Sequence, residues 1–244
     1  AKSYNCIITN IKRSEFSFGK SLNIGCDLAK GKFLVIISGH CVPFDSYWLG
    51  NLVKPILAEK IHYSYGRQIG GDESYFSENR IFGKYFPEKD KIPQNDYYCN
   101  NANSAILKSV WKNNKFNEEL TGLEDIELSL RIQKLGLKVG YISEAIVYHY
   151  HHENWKQVKR RFEREAIAYK KMFPEVFIRR RDSIRYFLVA IIQDINALKI
   201  SKKSIRKYVL EIIFYRLYQY MGNYKGNQIN AKLIQKLKDI YYYP

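Results

Sequence analysis

Apolar runs of strand length alternate with stretches of helical period over roughly the first 150 residues of this chain. The runs predict strands at 6–11, 33–37, 62–68, 105–107, 138–142 and 145–150. Stretches with apolar side chains every three or four positions predict helices between them, at 21–30, 45–59, 108–112 and 124–135. Alternation of this kind favours an α/β fold, in which helices cover a sheet.

The pattern changes in two places. Residues 70–95 are polar with scattered Tyr and Phe, and so long a loop in a compact domain more often covers a substrate than merely links two elements. Beyond Pro174 the sequence predicts two amphipathic helices accompanied by clusters of Lys and Arg. We therefore expect two units, an α/β domain at 1–174 and a basic, amphipathic helical appendage at 175–244.

Composition adds a strong positive charge. The 244 residues contain 40 Lys and Arg against 24 Asp and Glu, and the formal net charge of +16 favours an anionic partner: nucleic acid, nucleotide phosphates or a membrane surface. No nucleic-acid recognition motif accompanies the charge, so we expect no nucleic-acid partner. The scattered cysteines lack metal-site spacing and indicate free thiols in a reducing cytoplasm. The longest apolar run, 186–192, is too short to span a bilayer.

Histidines stand at the ends of two predicted strands. His40 lies in the sequence SGHC, directly after the second predicted strand, and VYHYHH ends the last one. Because side chains alternate along an extended strand, His149 and His151 point to one side and His152 to the other. These histidines are either metal ligands or ordinary strand-end residues, and the pattern alone leaves both interpretations open.

Two adjacent acids open the predicted helix in TGLEDIELSLRIQKLG. Glu124 and Asp125 have a structural interpretation, because Thr121 and Glu124 have the spacing of a capping box and acids favour a helix N-terminus. They also have a chemical interpretation, since a carboxylate held in a cleft can act as a general base.

Taken in order, these motifs resemble family 2 glycosyltransferases of the GT-A fold, a Rossmann-like mixed sheet flanked by helices. The segment FSFGKSLNIGCDLAKGKFLVIISGHCVPFDSYWLGNLV is similar to the donor side of that family, with a helix, a buried strand, a short metal-binding motif and a WL helix. The segment NNANSAILKSVWKNNKFNEELTGLEDIELSLRIQKLGLKVGYISEAIVYHYH is similar to its acceptor side. The resemblance spans residues 16–174.

This resemblance implies an enzyme that moves a sugar from a nucleotide-sugar donor to an acceptor hydroxyl and inverts the anomeric configuration. It places the general base on the ED pair, with Asp125 as the first choice and Glu124 as the second. A metal ion and basic groups would stabilise the negative charge of the departing nucleotide diphosphate.

The resemblance also implies a divalent cation, Mn²⁺ or Mg²⁺. Family members end the second strand with Asp-x-Asp, whose carboxylates hold the metal against the donor diphosphate. Here Ser38 replaces the first Asp. The related polypeptide N-acetylgalactosaminyltransferases have Asp-Ser-His-Cys in this place and a second histidine after the catalytic helix, which makes His40, His149 and His151 the candidate metal ligands.

Candidate substrate-binding residues are polar side chains beside the predicted strands: Ser38, Arg67, Gln68, Asn101 and Asn103. Arg67, in YGRQIGG, suits a phosphate or an acidic sugar, or is a solvated surface group. Asn101 and Asn103 suit sugar hydroxyls, although an Asn in a loop often bonds its own backbone.

Basic residues among Tyr and Phe on the appendage favour an anionic membrane surface, with the chain peripheral on the inner face of the cell membrane. The alternative is that the apolar faces pack on each other and on the domain. The stretch RLYQYMGNYKG resembles the end of bacterial surface-polysaccharide glycosyltransferases, rhamnosyltransferase-like ones among them. That likeness implies a saccharide or polyprenyl-linked acceptor and a role in synthesis of capsule or O-antigen.

Family members carry a strand with a nucleotide-contacting Asp well ahead of the segment that corresponds to FSFGKSLN. Here Ala1 leads almost at once into the first predicted strand, so we expect this N-terminal nucleotide-binding segment to be lacking. A second hypothesis therefore stays open, a non-catalytic fragment or scaffold of the same fold that binds anionic ligands or a membrane.

Overall fold

The computed structural model describes residue 4 and residues 6–229. Its helices are α1 (Phe18–Leu28), α2 (Trp48–Leu57), α3 (Phe76–Tyr85), α4 (Lys108–Asn113), α5 (Glu124–Lys134), α6 (Trp155–Met172), α7 (Arg180–Ile200) and α8 (Ile205–Gln228). Its strands are β1 (Phe33–Ile37), β2 (Cys41–Pro43), β3 (Tyr63–Ile69), β4 (Asn103–Leu107) and β5 (Val139–His149). Strands and helices are interspersed up to β5, and three helices follow it.

The five strands form one mixed sheet in the order β1-β4-β3-β5-β2. Strand β3 runs parallel to β5, whereas the other neighbouring pairs are antiparallel. Side chains alternate across the sheet: the buried rings of Tyr63 and Tyr65 join α1, α3, α4 and α5 in one core cluster. Ser64, between them, faces α2, where its hydroxyl donates to the carbonyl of Leu52 (2.7 Å). Helices therefore cover both faces of the sheet.

The strands differ from the sequence-based prediction in three places. The strand predicted at 6–11 is wrong, since this stretch is irregular and exposes Ile7 and Ile8. The strands predicted at 138–142 and 145–150 are one strand, β5, whose pairing with β3 shifts register between Gly66 and Gln68. The short strand β2 was not predicted, because three residues are too few to show an alternating pattern.

Residues 70–95, expected as a loop, contain helix α3. Its apolar Phe76 packs with Leu198 of α7, and the hydroxyl of Ser77 donates to the buried carboxylate of Asp194 (2.6 Å). Arg216 of α8 pairs with the same carboxylate through its Nε atom (2.8 Å). Helix α3 is thus held against the last two helices by a hydrogen-bonded network in addition to the apolar contact of Phe76.

Helices α6 and α8 pack at unusually close range. A Cβ atom at Gly222 would collide with the backbone of Lys159, and one at Gly226 with the backbone of Glu163. Only glycine allows that approach. Because α6 lies before residue 174 and packs on α8, the expected boundary between 1–174 and 175–244 passes through one packed group of helices. Residues 230–244 of the expected appendage lie outside the described residues.

Candidate active site

A cleft of about 1170 Å³ opens between the sheet, α3, α5 and the last three helices. Two groups of titratable side chains line it. One is the histidine cluster, formed by His40, His149 and His151. The other is the acid pair, Glu124 and Asp125. The fold therefore brings the residues expected to carry the chemistry to one cavity.

The short strand β2 brings the histidine cluster together. Cys41 pairs with His149 in antiparallel register, and the amide of Tyr150 donates to the carbonyl of His40 (3.1 Å). His151 lies beyond the end of β5 on the same side as His149. Ring centroids lie 4.1 Å apart for His149 and His151 and 4.8 Å for His40 and His149. One nitrogen of each ring lies within 4.8 Å of the other two.

His149 is held from behind by an amide chain. Its Nδ1 atom lies 2.6 Å from Oε1 of Gln68, whose Nε2 donates to Oδ1 of Asn100 (2.9 Å). The same Asn100 oxygen accepts the amide of Ala102 (2.9 Å). On the other side of the ring, Nε2 of His149 is buried and has no hydrogen-bond partner among the described residues. Burial lowers the pKa of His149 to about 2, so the ring is neutral.

His151 is held by a carboxylate. Its Nδ1 atom lies 2.8 Å from Oε1 of Glu78, a residue only 2 % exposed, and Arg161 donates to the same oxygen (2.9 Å). The third ring, His40, has the hydroxyl of Ser38 at 3.2 Å from its Nδ1 atom. Burial, followed by the neighbouring His151, lowers the pKa of His40. Burial thus favours the neutral, lone-pair-donating form of His40 and His149.

These residues fit a divalent metal ion. Neutral imidazole is the commonest protein ligand for metals, and the rings of the histidine cluster converge. A buried Nε2 atom without a hydrogen bond, as in His149, is costly unless some ligand accepts its lone pair. The donor set of the cluster consists of nitrogen atoms, and the neighbouring Ser38 offers a hydroxyl rather than a carboxylate.

The acid pair is placed by an unusual turn. Leu123, the residue before it, has a φ of 59°, in the left-handed region that a branched side chain rarely adopts. Thr121 does not cap the helix, because its hydroxyl donates to the carbonyl of Arg164 (2.9 Å). The capping-box interpretation of Glu124 is therefore wrong. Backbone strain of this kind concentrates at functional sites.

Both acids are buried, but their surroundings differ. The two carboxylate oxygens of Asp125 accept the amides of Asn101 and Ile126 (2.8 Å each). Burial raises the pKa of Asp125, and these backbone amides oppose the rise. Burial also raises the pKa of Glu124, and the charge of the adjacent Asp125 raises it further. Since only Asp125 accepts two well-aligned amides, it ionises first and Glu124 keeps its proton longer.

Helix α6 adds charged side chains that the sequence showed only as part of a basic stretch. Arg161, Arg164 and Glu165 line the cleft together, three and four positions apart on one helix face. The guanidinium of Arg164 lies 4.5 Å from the ring of Phe18, and its buried Nε atom has no hydrogen-bond partner in the described part of the chain. The sequence shows the helical spacing of these three residues. It does not show that this face of α6 lies beside the acid pair, which depends on the tertiary packing of α6.

Three of the candidate substrate-binding residues line the cleft, namely Ser38, Gln68 and Asn101. The amide of Asn101 donates to Asp125, and its side-chain oxygen accepts the hydroxyl of Tyr63 (2.6 Å). Its Nδ2 atom is buried without a well-formed hydrogen bond within the described residues, and the side chain lies close enough to Glu124 to lower the pKa of that carboxyl.

The other two candidates, Arg67 and Asn103, do not line this cleft. Arg67 pairs with Glu88 (2.8 Å). Asn103 is fully buried in β4: its Nδ2 atom donates to the carbonyl of Ala145 (2.7 Å), and its Oδ1 atom accepts the indole N–H of Trp48 (2.8 Å). These bonds give Asn103 a role in joining β4, β5 and α2.

No family model matches the sequence, and no curated protein matches it. Among solved structures, the chain is similar to a mannosyltransferase, PcManGT from Pyrobaculum calidifontis, solved with GDP-Man and Mn²⁺, with a TM-score of 0.53 and 11% identity over 93% of this chain and 67% of that one. It is also similar to GalNAc-T7, solved with UDP, GalNAc and Mn²⁺, with a TM-score of 0.45 and 17% identity over 64% of this chain and 37% of that one.

The likeness to the mannosyltransferase bears on the fold. A mixed sheet flanked by helices, in the arrangement of GT-A glycosyltransferases, is the architecture of this chain. The predicted fold class is thereby confirmed. The chain spans 37% of the length of GalNAc-T7 and 67% of the mannosyltransferase.

Proposed function

We propose that this chain is an inverting glycosyltransferase that moves a sugar from a nucleotide-sugar donor to a hydroxyl of a saccharide or lipid-linked acceptor. One observation carries the proposal: a single cleft of a GT-A fold contains both the acid pair and a cluster of convergent histidines. Its volume of about 1170 Å³ exceeds the ~300–1,000 Å³ typical of a site for one small molecule, which leaves room for donor and acceptor together.

Asp125 is the general base in this proposal. Each of its oxygens accepts one backbone amide and keeps a lone pair for an acceptor hydroxyl. As the acceptor oxygen bonds to the anomeric carbon, its proton passes to Asp125, and the bond from that carbon to the diphosphate oxygen breaks on the opposite face. In-line displacement inverts the configuration. Glu124, which stays protonated to higher pH, donates a hydrogen bond to the substrate beside it.

The cofactor we propose is a divalent cation held by the histidine cluster, and of the two ions expected from the sequence Mn²⁺ suits imidazole ligands better than Mg²⁺ does. When bound there it would neutralise the charge that develops on the departing diphosphate. The chain's own basic groups, Arg161 and Arg164, lie in the same cleft and attract the anionic donor. We propose that Ser38 and Asn101, which line the cleft, donate hydrogen bonds to bound oxygens, and that Gln68 acts through His149.

The mannosyltransferase of similar fold was solved with GDP-Man and Mn²⁺. By analogy we propose a nucleoside diphosphate sugar as donor, with transfer of a hexose or deoxyhexose. The order of sequence motifs supports a family 2, rhamnosyltransferase-like enzyme of surface-polysaccharide synthesis, such as synthesis of capsule or O-antigen.

We also propose that the chain lies on an anionic membrane from the cytoplasmic side. None of the helices within residues 6–229 combines the length and the hydrophobicity that crossing a bilayer requires. Helix α8 instead exposes an apolar stripe at helical spacing, made of Leu210, Phe214, Leu217 and Met221. The net charge of +16 complements anionic lipid, where a polyprenyl-linked acceptor would be met.

Sedimentation with vesicles tests the membrane proposal. The chain should pellet with vesicles of mixed phosphatidylcholine and phosphatidylglycerol at low salt and stay in solution with phosphatidylcholine alone. Phe214→Glu should weaken pelleting more than Leu135→Glu, which introduces the same charge at an exposed apolar residue directly after α5. Equal pelleting of the two variants would contradict the proposal. Binding of the unmodified chain to DNA as strong as its binding to the anionic vesicles would contradict it as well.

A donor screen tests the transferase proposal. Thermal-shift measurements with a panel of nucleotide sugars, each with Mn²⁺, Mg²⁺ or chelator, identify the donor, and donor turnover is then compared between the unmodified chain and Asp125→Asn. Glu127→Gln is the matched control, since Glu127 is on the same helix but pairs with Arg131 outside the cleft. Turnover must fall with Asp125→Asn and persist with Glu127→Gln. Donor binding without turnover would favour the scaffold hypothesis instead.

A further inference from the structure

The histidine cluster offers nitrogen donors, and that choice bears on which metal it can hold. Mg²⁺ is a hard cation that prefers oxygen ligands and keeps several waters. Imidazole suits Zn²⁺, Cu²⁺, Fe²⁺ and Ni²⁺, and Zn²⁺ binds nitrogen ligands more tightly than Mn²⁺. Among the described residues the cluster contains His40, His149 and His151 and no Asp, Glu or Cys.

The hydrogen-bond chain behind His149 fixes which of its nitrogens carries the proton. An amide N–H from Ala102 points at one side-chain atom of Asn100, so that atom is an oxygen. The Gln68 atom that bonds to this oxygen must then be the NH₂ nitrogen, and the atom facing His149 must be the Gln68 oxygen. An oxygen accepts only, so Nδ1 of His149 carries the hydrogen. Its Nε2 atom, buried and unpartnered, keeps the lone pair that a metal needs.

A second support fixes His151 in the same way. Carboxylate oxygens only accept, so Nδ1 of His151 donates to Glu78, and Nε2 is left as the ring nitrogen that can bind a metal. Arg161 donates to the same oxygen of Glu78 (2.9 Å), which fixes the position of the carboxylate. Metal-binding histidines in proteins characteristically donate their second ring N–H to a carboxylate or a carbonyl oxygen, which orients the ring and strengthens the ligand.

We infer that the histidine cluster is a preformed nitrogen site selective for a transition metal such as Zn²⁺ over Mg²⁺, and that Gln68 and Glu78 are its positioning residues. The inference deepens the proposed function, since it concerns the metal expected in the same cleft. It does not depend on any sugar being transferred, because the geometry that carries it lies within the protein.

The test is metal affinity in the absence of nucleotide sugar. Chelator-stripped protein is dialysed against Zn²⁺, Mn²⁺ or Mg²⁺, and bound metal is measured by mass spectrometry. We expect one site with a Kd for Zn²⁺ at least ~100-fold below that for Mn²⁺, and no saturable Mg²⁺ binding at millimolar concentration. Co²⁺ should give the intense visible absorption of a four- or five-coordinate nitrogen site, a readout that needs no variant.

Variants then test the positioning residues. Gln68→Ala and Glu78→Gln should each weaken Zn²⁺ binding by ~10–100-fold and alter the Co²⁺ spectrum. His152→Ala is the control, because His152 is 70 % exposed, pairs with Glu73 and lies outside the cluster. It should bind Zn²⁺ like the unmodified chain. Glu78→Asp, which retains the carboxylate, should restore part of the affinity lost in Glu78→Gln.

Two results would overturn the inference. One is Mg²⁺ binding as tight as that of Zn²⁺, and the other is a Co²⁺ spectrum of six-coordinate, oxygen-ligated type. Unchanged Zn²⁺ affinity in both Gln68→Ala and Glu78→Gln would remove their positioning role. The metal-binding test contains no donor, so its result is independent of sugar transfer. Selective Zn²⁺ binding by a chain that transfers no sugar would uphold this inference and reject the proposed function. Sugar transfer that depends on Mg²⁺ would support the proposed function and overturn this inference.

Discussion

The histidine cluster and the acid pair line the same cleft, and burial shifts pKa values in both groups with opposite chemical results. Burial removes charge from both groups: it lowers the pKa of His149 and raises the pKa of Asp125. A neutral imidazole is ready to bind a metal. A neutral carboxyl is not ready to accept a proton.

The two groups also differ in what holds them. The histidines are supported by side chains from distant segments, Gln68 for His149 and Glu78 for His151. Asp125 is supported by backbone amides, one of them its immediate neighbour in α5. Side-chain supports keep the rings in the metal-binding tautomer, whereas backbone amides offset part of the burial penalty and bring the carboxylate closer to ionising at neutral pH.

The largest expected effect separates the two groups. Asp125→Asn should lower donor turnover by ~10²–10⁴-fold, the contribution of a general base, while donor affinity stays close to that of the unmodified chain. His149→Ala should lower metal-dependent donor affinity as well as turnover. Calorimetric titration of donor with metal, alongside turnover, distinguishes the two. Loss of donor affinity in Asp125→Asn with normal turnover in His149→Ala would reverse the assigned roles.

A pH profile tests whether burial raises the pKa values of the two acids, the opposite of its effect on His149. A base must be ionised, so turnover should rise with pH through the raised pKa of Asp125 and fall about tenfold per pH unit below it. Folding stability has the reverse sign. Since the folded pKa values of Glu124 and Asp125 lie above their unfolded values, the neutral forms favour folding at low pH, and that contribution is lost as pH rises through the raised values.

Chemical denaturation between pH 4.5 and pH 8 checks the stability half of this prediction. The unmodified chain should lose stability with rising pH relative to the double variant Glu124→Gln with Asp125→Asn, which has no titrating group in the pair. Parallel stability curves for the two chains would show that the acids are not shifted by burial.

A smaller effect is expected where α8 approaches α6, the helix that carries Arg161 and Arg164. Gly226→Leu should cost ~1–3 kcal/mol of unfolding free energy, because the new side chain meets the backbone of Glu163. Gly50→Leu on α2 is the control, since nothing lies within 4 Å of its Cβ position. Thermal denaturation of both variants should show a lower Tm only for Gly226→Leu. Similar Tm values would mean that the helices can separate without cost.

The smallest expected effect concerns Asn103. Asn103→Ala removes the partners of the Trp48 indole and the Ala145 carbonyl, and leaving such buried groups unsatisfied costs ~1–3 kcal/mol. The KM for donor should stay unchanged, because loss of folded protein lowers the maximal rate and not KM. Asn101→Ala, in the cleft, should raise KM instead. A KM increase for Asn103→Ala with unchanged stability would return this residue to the substrate site.

The sequence predicted the parts of the site that depend on local pattern. Alternation along β5 put His149 and His151 on one side, and helical period gave α5 with its acids at the start. It could not predict that Cys41 pairs with His149, because that pairing is made by a three-residue strand. It also could not show that Thr121 bonds to α6 instead of capping α5, since this depends on packing between distant segments.

Polar helices were the other difficulty. Helix α3 has few apolar positions and is docked by Ser77 on the buried pair of Asp194 and Arg216, which no periodicity reveals. For the same reason Glu78, on that helix, was not among the candidate residues although it holds His151. Interactions between distant polar side chains follow from the tertiary fold and leave no repeating signal in the sequence.

A crystal structure of the chain with Mn²⁺ and its nucleotide-sugar donor, using anomalous scattering to locate the metal, tests the central claim most directly. The account predicts the metal between His40, His149 and His151, with a diphosphate oxygen bound to it. The anomeric carbon should lie on the path from that metal to the carboxylate of Asp125. A metal or a diphosphate bound elsewhere, with Asp125 facing no part of the sugar, would contradict it.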